Sequence, residues 1–187
     1  MGYLREIRRS STRLVGYDYS QPGAYFVTVC TKDKTHIFGE VEVERLILSK
    51  IGMIVGECWL GIPNTFRNVE LDQWIIMPNH LHGIILIHDS RRGEAFAEDH
   101  IQMKPPTANA SPVRRPKGTI PKSLSAIIKN FKSVSTRRVN QLQGTPGKSL
   151  WQRGYYDRII RNKKELDCIR RYVQDNPLKW ELDPYYI

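Results

Sequence analysis

Cysteine is scarce in this chain of 187 residues. Cys30, Cys58 and Cys168 are too few and too far apart for a disulfide framework or a zinc-binding cluster. No apolar run approaches the roughly 20 residues that a membrane span requires. None follows the basic N-terminal segment in the manner of an export signal. No Gly-rich phosphate loop is present, so no nucleotide cofactor is expected, and no internal repeat is visible. Acidic residues are the minority charge: 19 Asp and Glu stand against 29 Lys and Arg, for a net charge of +10 and a pI near 9.6. These absences point to a cytoplasmic chain with no membrane partner, whose surplus of cations favours a polyanion, nucleic acid first.

What is there reads as one globular domain, with 40% apolar and 26% charged residues. Residues 1–23 form a basic arm (Arg5, Arg8, Arg9, Arg13) closed by Gln21-Pro22-Gly23, and the domain is expected over 24–187. Tyr25 to Cys30 is apolar on both parities, as in a strand covered on both faces. Ser49 caps an expected helix with Ile51, Ile54, Val55, Cys58 and Trp59 at helical spacing. Val69–Met77 and His80–His88 read as a hairpin turned at Met77-Pro78-Asn79. Residues 89–118, rich in Pro and charge, are expected to be a mobile insertion. A helix is expected over 120–142, then a strand from Tyr156 to Arg161. Asn162 and Glu165 open a last helix that stops before Pro177. The order β, α, β, β, α, β, α predicts an α+β fold, a ferredoxin-like antiparallel sheet covered by helices.

The chemistry gathers at two places. On a strand, His80 and His82 share a face while Leu81 takes the other, so the two imidazoles can chelate one cation. Hydrogen bonding at a sheet edge is the competing explanation. On the last helix Leu166, Ile169 and Val173 form the core stripe, and Tyr172 and Asn176, four apart, border it on one face. Packing for Tyr172 and a helix stop for Asn176 are the alternatives; a hydroxyl nucleophile and an oxygen ligand are the functional ones. Lys129, Lys132, Arg137 and Arg138 on the long helix, with Arg8, Arg9 and Arg13 of the arm, offer a phosphate-contacting surface.

Pro78-Asn79-His80-Leu81-His82-Gly83 together with Tyr172-Val173-Gln174-Asp175-Asn176-Pro177 resembles the HUH-type single-tyrosine transposases, in particular the REP-associated tyrosine transposases of bacteria. Gly16-Tyr17-Asp18-Tyr19, Tyr25-Phe26-Val27-Thr28, Val69-Glu70-Leu71-Asp72 and Trp151-Gln152-Arg153-Gly154-Tyr155-Tyr156-Asp157 extend the likeness over most of the chain, the 89–118 segment excepted. The resemblance implies His80 and His82 as metal ligands, Tyr172 as nucleophile, and Asn176 where insertion-sequence relatives carry a Gln ligand. It implies cleavage of single-stranded DNA beside a hairpin, a 5′-phosphotyrosine, and rejoining by reversal. Two imidazoles, an amide oxygen and open positions suit Mg²⁺ or Mn²⁺. Arg170 and Arg171 are expected to assist deprotonation of Tyr172. A bacterial, nucleoid-associated protein, monomer or homodimer, follows. A non-catalytic hairpin DNA or RNA-binding module and a phosphodiesterase that activates water are the other classes this pattern allows.

Overall fold

Eight consecutive buried residues form the strand β1, Gly23–Cys30, and eight more form β5, His80–Ile87. Both run through the middle of a four-stranded sheet whose order is β4-β5-β1-β6, with β4 at Val69–Met77 and β6 at Tyr156–Ile160. Every pairing is antiparallel. The computed structural model describes residues 17–43, 45–89, 120–183 and 185–186. Arg8, Arg9 and Arg13, and nearly all of the expected insertion, lie outside them. The helices are α1 (Lys50–Leu60), α2 (Ile62–Thr65), α3 (Leu124–Gln143) and α4 (Lys163–Gln174), with a 3-10 segment at Pro177–Leu182. This is the expected ferredoxin-like βαββαβ arrangement with α4 added.

Two cores divide at the sheet because strand side chains alternate. Tyr25, Val27, Val29, Leu81 and Ile85 pack beneath α1 and α3 with Trp59, Ile127 and Phe131. Phe26, Ile84 and Leu86 take the opposite face and meet Leu166, Ile169 and Val173 of α4. Each such side chain contributes about 1.5–3 kcal/mol through burial. Gly83 belongs to this division. A β-carbon there would stand 2.3 Å from Cζ2 of Trp59, so the tryptophan lies directly on the backbone between His82 and Ile84.

The helix α4 is tied to both edge strands. At its start Asn162 Oδ1 accepts from the Glu165 N–H at 2.9 Å. The Glu165 carboxylate turns back to accept from Arg161 N–H at 2.9 Å and from the Arg158 guanidinium of β6 at 2.6 Å. Further along, Arg170 reaches the Asp72 carboxylate at 2.7 Å, where the β4 register shifts between Leu71 and Trp74.

Three departures from the sequence reading have local causes. A ribbon of β2 (Gly39–Glu42) and β3 (Arg45–Leu48) was unforeseen, because its strands are only four residues long and half exposed. The helix α3 begins at Leu124, not 120. Ser123 Oγ caps it by accepting from Ala126 N–H, and Lys122 has a positive φ of 61° that no helix continues through. Within the expected arm, Tyr19 is buried and Tyr17 packs against the same core.

Candidate active site

His80 and His82 emerge from β5 on one face, and neither is exposed. Asn79 Oδ1 lies 2.8 Å from His80 Nδ1, and Thr28 Oγ1, across the strand pair on β1, lies 2.8 Å from His82 Nδ1. With both Nδ1 atoms engaged, both Nε2 atoms aim at one spot and stand 3.0 Å apart. The Asn79 amide nitrogen donates to the Tyr185 carbonyl at 2.7 Å. That orients the Asn79 oxygen toward the ring, so His80 Nδ1 carries the proton and His80 Nε2 presents a bare lone pair.

The α4 residues complete the cluster. Tyr172 Oη lies 3.2 Å from His82 Nε2 and 3.3 Å from Asp183 Oδ2. Asn176 donates from Nδ2 to the same Asp183 oxygen at 2.9 Å. The other Asp183 oxygen accepts the Tyr185 N–H at 2.7 Å. His80, His82 and Asp183 bring ligand atoms within 4.8 Å of one another, a grouping that suits a metal ion. Asn176 Oδ1 is buried beside them with no hydrogen-bond partner among the described residues. Rings close the remaining sides: Phe26 stacks on His82 at 5.3 Å, and Tyr185 covers His80 at 4.7 Å.

Burial sets the protonation states. It holds His80 well below the ordinary imidazole value, with His82 adding to the effect. It lowers His82 as well, against the opposing pull of Asp183. Both rings are therefore neutral and available as ligands at pH 7. Burial followed by the Asp183 charge pushes the Tyr172 phenol upward. Burial also works against the charge of Asp183, but hydrogen bonding on the His82 side and from the Tyr185 backbone brings its carboxyl down to about 2.

A pH dependence of stability follows. Below about pH 6.5 the unfolded chain protonates both imidazoles while the folded chain does not, so stability falls with acidification by up to about 1.4 kcal/mol per pH unit per histidine. Urea midpoints in EDTA should drop between pH 7.5 and 5.5, and the drop should shrink in a His80→Asn/His82→Asn double variant. An equal drop in both proteins would exclude the buried imidazoles as its source.

All four residues singled out for chemistry, His80, His82, Tyr172 and Asn176, meet here. Asp183 was passed over: it lies beyond the helix stop at Pro177, in no periodic relation to Tyr172. The two arginines beside Tyr172 do not serve it. Arg170 is engaged with Asp72, and Arg171 turns outward to the Asp167 carbonyl and Cys168. Of the expected DNA contacts, Lys129 and Arg137 are exposed. Arg138 pairs with Glu57 of α1, and Lys132 donates to the Gln152 and Gly154 carbonyls at 2.6 and 2.8 Å. No helix among the described residues is long and apolar enough to cross a membrane.

Residues 117–176 match the IS200-like transposase family model. An uncharacterized protein of Haemophilus influenzae is 36% identical over 182 residues, covering 96% of this chain and 93% of its own length. Over residues 117–176 the chain is thus similar to the IS200-like transposases. Its fold is that of the REP-associated tyrosine transposases. A solved member of that group, bound to a REP hairpin, superimposes with a TM-score of 0.57 at 15% identity, covering 95% of this chain and 76% of the other.

Proposed function

We propose that this protein is a divalent-metal-dependent endonuclease and strand transferase that cuts single-stranded DNA beside a hairpin, with Tyr172 as nucleophile. The observation that carries this reading is the Tyr172 hydroxyl, within 3.3 Å of both His82 and Asp183 in a cluster that also contains His80. The hairpin-bound state of the solved structural relative supports a hairpin substrate. His80, His82 and Asp183 would hold the metal, and the partnerless Asn176 Oδ1 fits a further oxygen ligand. When bound, the cation polarises the scissile phosphate and offsets the charge that builds up during attack. Two nitrogens among the donors make the set softer than an all-oxygen cage, which favours Mn²⁺ over Mg²⁺.

In the reaction, Tyr172 Oη forms a bond to phosphorus as the bond from phosphorus to the 3′-oxygen breaks. Asp183 Oδ2 receives the phenolic proton. It is too weak a base to take that proton beforehand, so transfer accompanies formation of the oxygen–phosphorus bond. The departing 3′-oxygen is protonated from water, and the 5′-phosphate stays on Tyr172. Attack by a 3′-hydroxyl on that phosphotyrosine reverses the step and joins strands.

The test is incubation with Mn²⁺ and a hairpin bearing single-stranded flanks. A protein–DNA adduct that survives denaturant, and is absent in EDTA, is expected. Cut DNA without adduct would instead indicate a phosphodiesterase using water, and salt-sensitive binding without cutting a non-catalytic module.

A further inference from the structure

A groove of about 920 Å³ runs between the outer face of α3 and the loop from Gly144 to Gly154. On the helix, Ser133, Thr136, Arg137, Asn140 and Gln141 recur at i, i+3/i+4 and i+7/i+8, so they form one stripe along its wall. Arg153 stands on the opposite wall, and the Lys132 ammonium is fixed at the floor by two loop carbonyls. No acidic residue lines the groove among the described residues. Cations spaced among neutral hydrogen-bond donors, with no carboxylate to repel, suit a polyanion.

The lining also says which part of a nucleic acid fits. Its one aromatic residue, Trp151, is buried against Phe38 and Phe131 and spends its indole N–H on Ser135. No ring is offered on which an unpaired base could stack, so the groove addresses phosphates and not bases.

The groove is stitched to the end of the sheet that carries the histidines. Gln152 N–H donates to the Cys30 carbonyl at 2.9 Å, and Cys30 is the register partner of His80. Two strand spacings, roughly 10 Å, separate the Gln152 backbone from the His80 backbone, while the α3 wall packs on the sheet face opposite Tyr172.

We infer that this groove seats the phosphate backbone of the paired hairpin stem, with Arg137 and Arg153 as its two phosphate contacts, and thereby delivers the unpaired flank to the Tyr172 cluster. The inference rests on the hairpin-processing function proposed above. Lys129, one turn before the stripe, and Arg138, which turns to Glu57 of α1, do not line the groove.

The test compares Arg137→Ala/Arg153→Ala with Lys129→Ala/Arg138→Ala, both in a Tyr172→Phe background in EDTA so that binding alone is read. The probes are a hairpin with a flank, the blunt hairpin, and the flank alone. For both hairpins the groove pair should lose at least tenfold in affinity at low salt. Its slope of log affinity against log salt should flatten by nearly two. The flank alone should bind both pairs and the background protein alike, and the off-groove pair should keep the background slope. An unchanged slope in the groove pair, or equal losses on the flank alone, would overturn the inference. Adduct formation is scored separately with Tyr172 intact, so a flattened slope without any adduct would refute the catalytic proposal and leave the groove standing.

Discussion

Tyr172→Phe should abolish the covalent adduct while leaving the protein folded and able to bind hairpin DNA. The substitution removes one oxygen. The ring keeps its edge-on contact with Phe26, 6.0 Å between centroids, and its contact with His82 at 5.2 Å. The hydroxyl's two contacts, at 3.2 and 3.3 Å, are long, so the stability change should stay within about 1 kcal/mol. Activity should fall far more, since losing the nucleophile of a covalent enzyme costs on the order of 10⁶-fold. Denaturing gels would read the adduct and peptide mapping its position. Tyr185 is the serious competitor, because its ring lies 4.7 Å from His80. Tyr185→Phe should retain the adduct, and a phosphopeptide mapping to Tyr185, or wild-type cleavage by Tyr172→Phe, would sink the assignment.

Asp183→Asn should cost the second largest amount. The side chain keeps its shape and can still accept the Tyr185 N–H, but it loses the negative charge and the proton acceptor for Tyr172. Removing a charged oxygen from a site of two neutral imidazoles should weaken Mn²⁺ binding by roughly 10–100-fold. Loss of the proton acceptor should slow adduct formation by a further 10²–10⁴-fold, on the order expected for general base catalysis. Calorimetry with Mn²⁺ and adduct kinetics at saturating metal separate the two effects. Unchanged affinity together with an unchanged rate would remove Asp183 from the site.

The parts of the site that lay open in the sequence are those carried by regular elements. Period two on β5 put His80 and His82 on one face, and period 3.6 on α4 put Tyr172 and Asn176 beside the stripe that packs on that face. Both inferences needed only local spacing. Asp183 could not be found that way, because the turn after Pro177 brings it back by a path no periodicity encodes. The partners of two α3 cations were hidden for a related reason: helical spacing says which residues share a face, but not that Glu57 of another helix waits opposite Arg138 or that loop carbonyls hold Lys132. The β2–β3 ribbon was hidden because strands of four half-exposed residues have almost no pattern to read.

The Thr28 hydroxyl has a consequence for ligand exchange. His80 Nε2 is bare, so the 3.0 Å contact between the two rings requires the intervening proton to sit on His82 Nε2, and His82 Nδ1 then accepts from Thr28. For both rings to offer lone pairs to a cation, His82 must switch tautomer and carry its proton on Nδ1. A hydroxyl can donate in the first arrangement and, by rotating about its C–O bond, accept in the second. Thr28 thus lets one imidazole serve two bonding partners in turn without an unsatisfied buried atom in either, a service that a valine of the same shape could not perform.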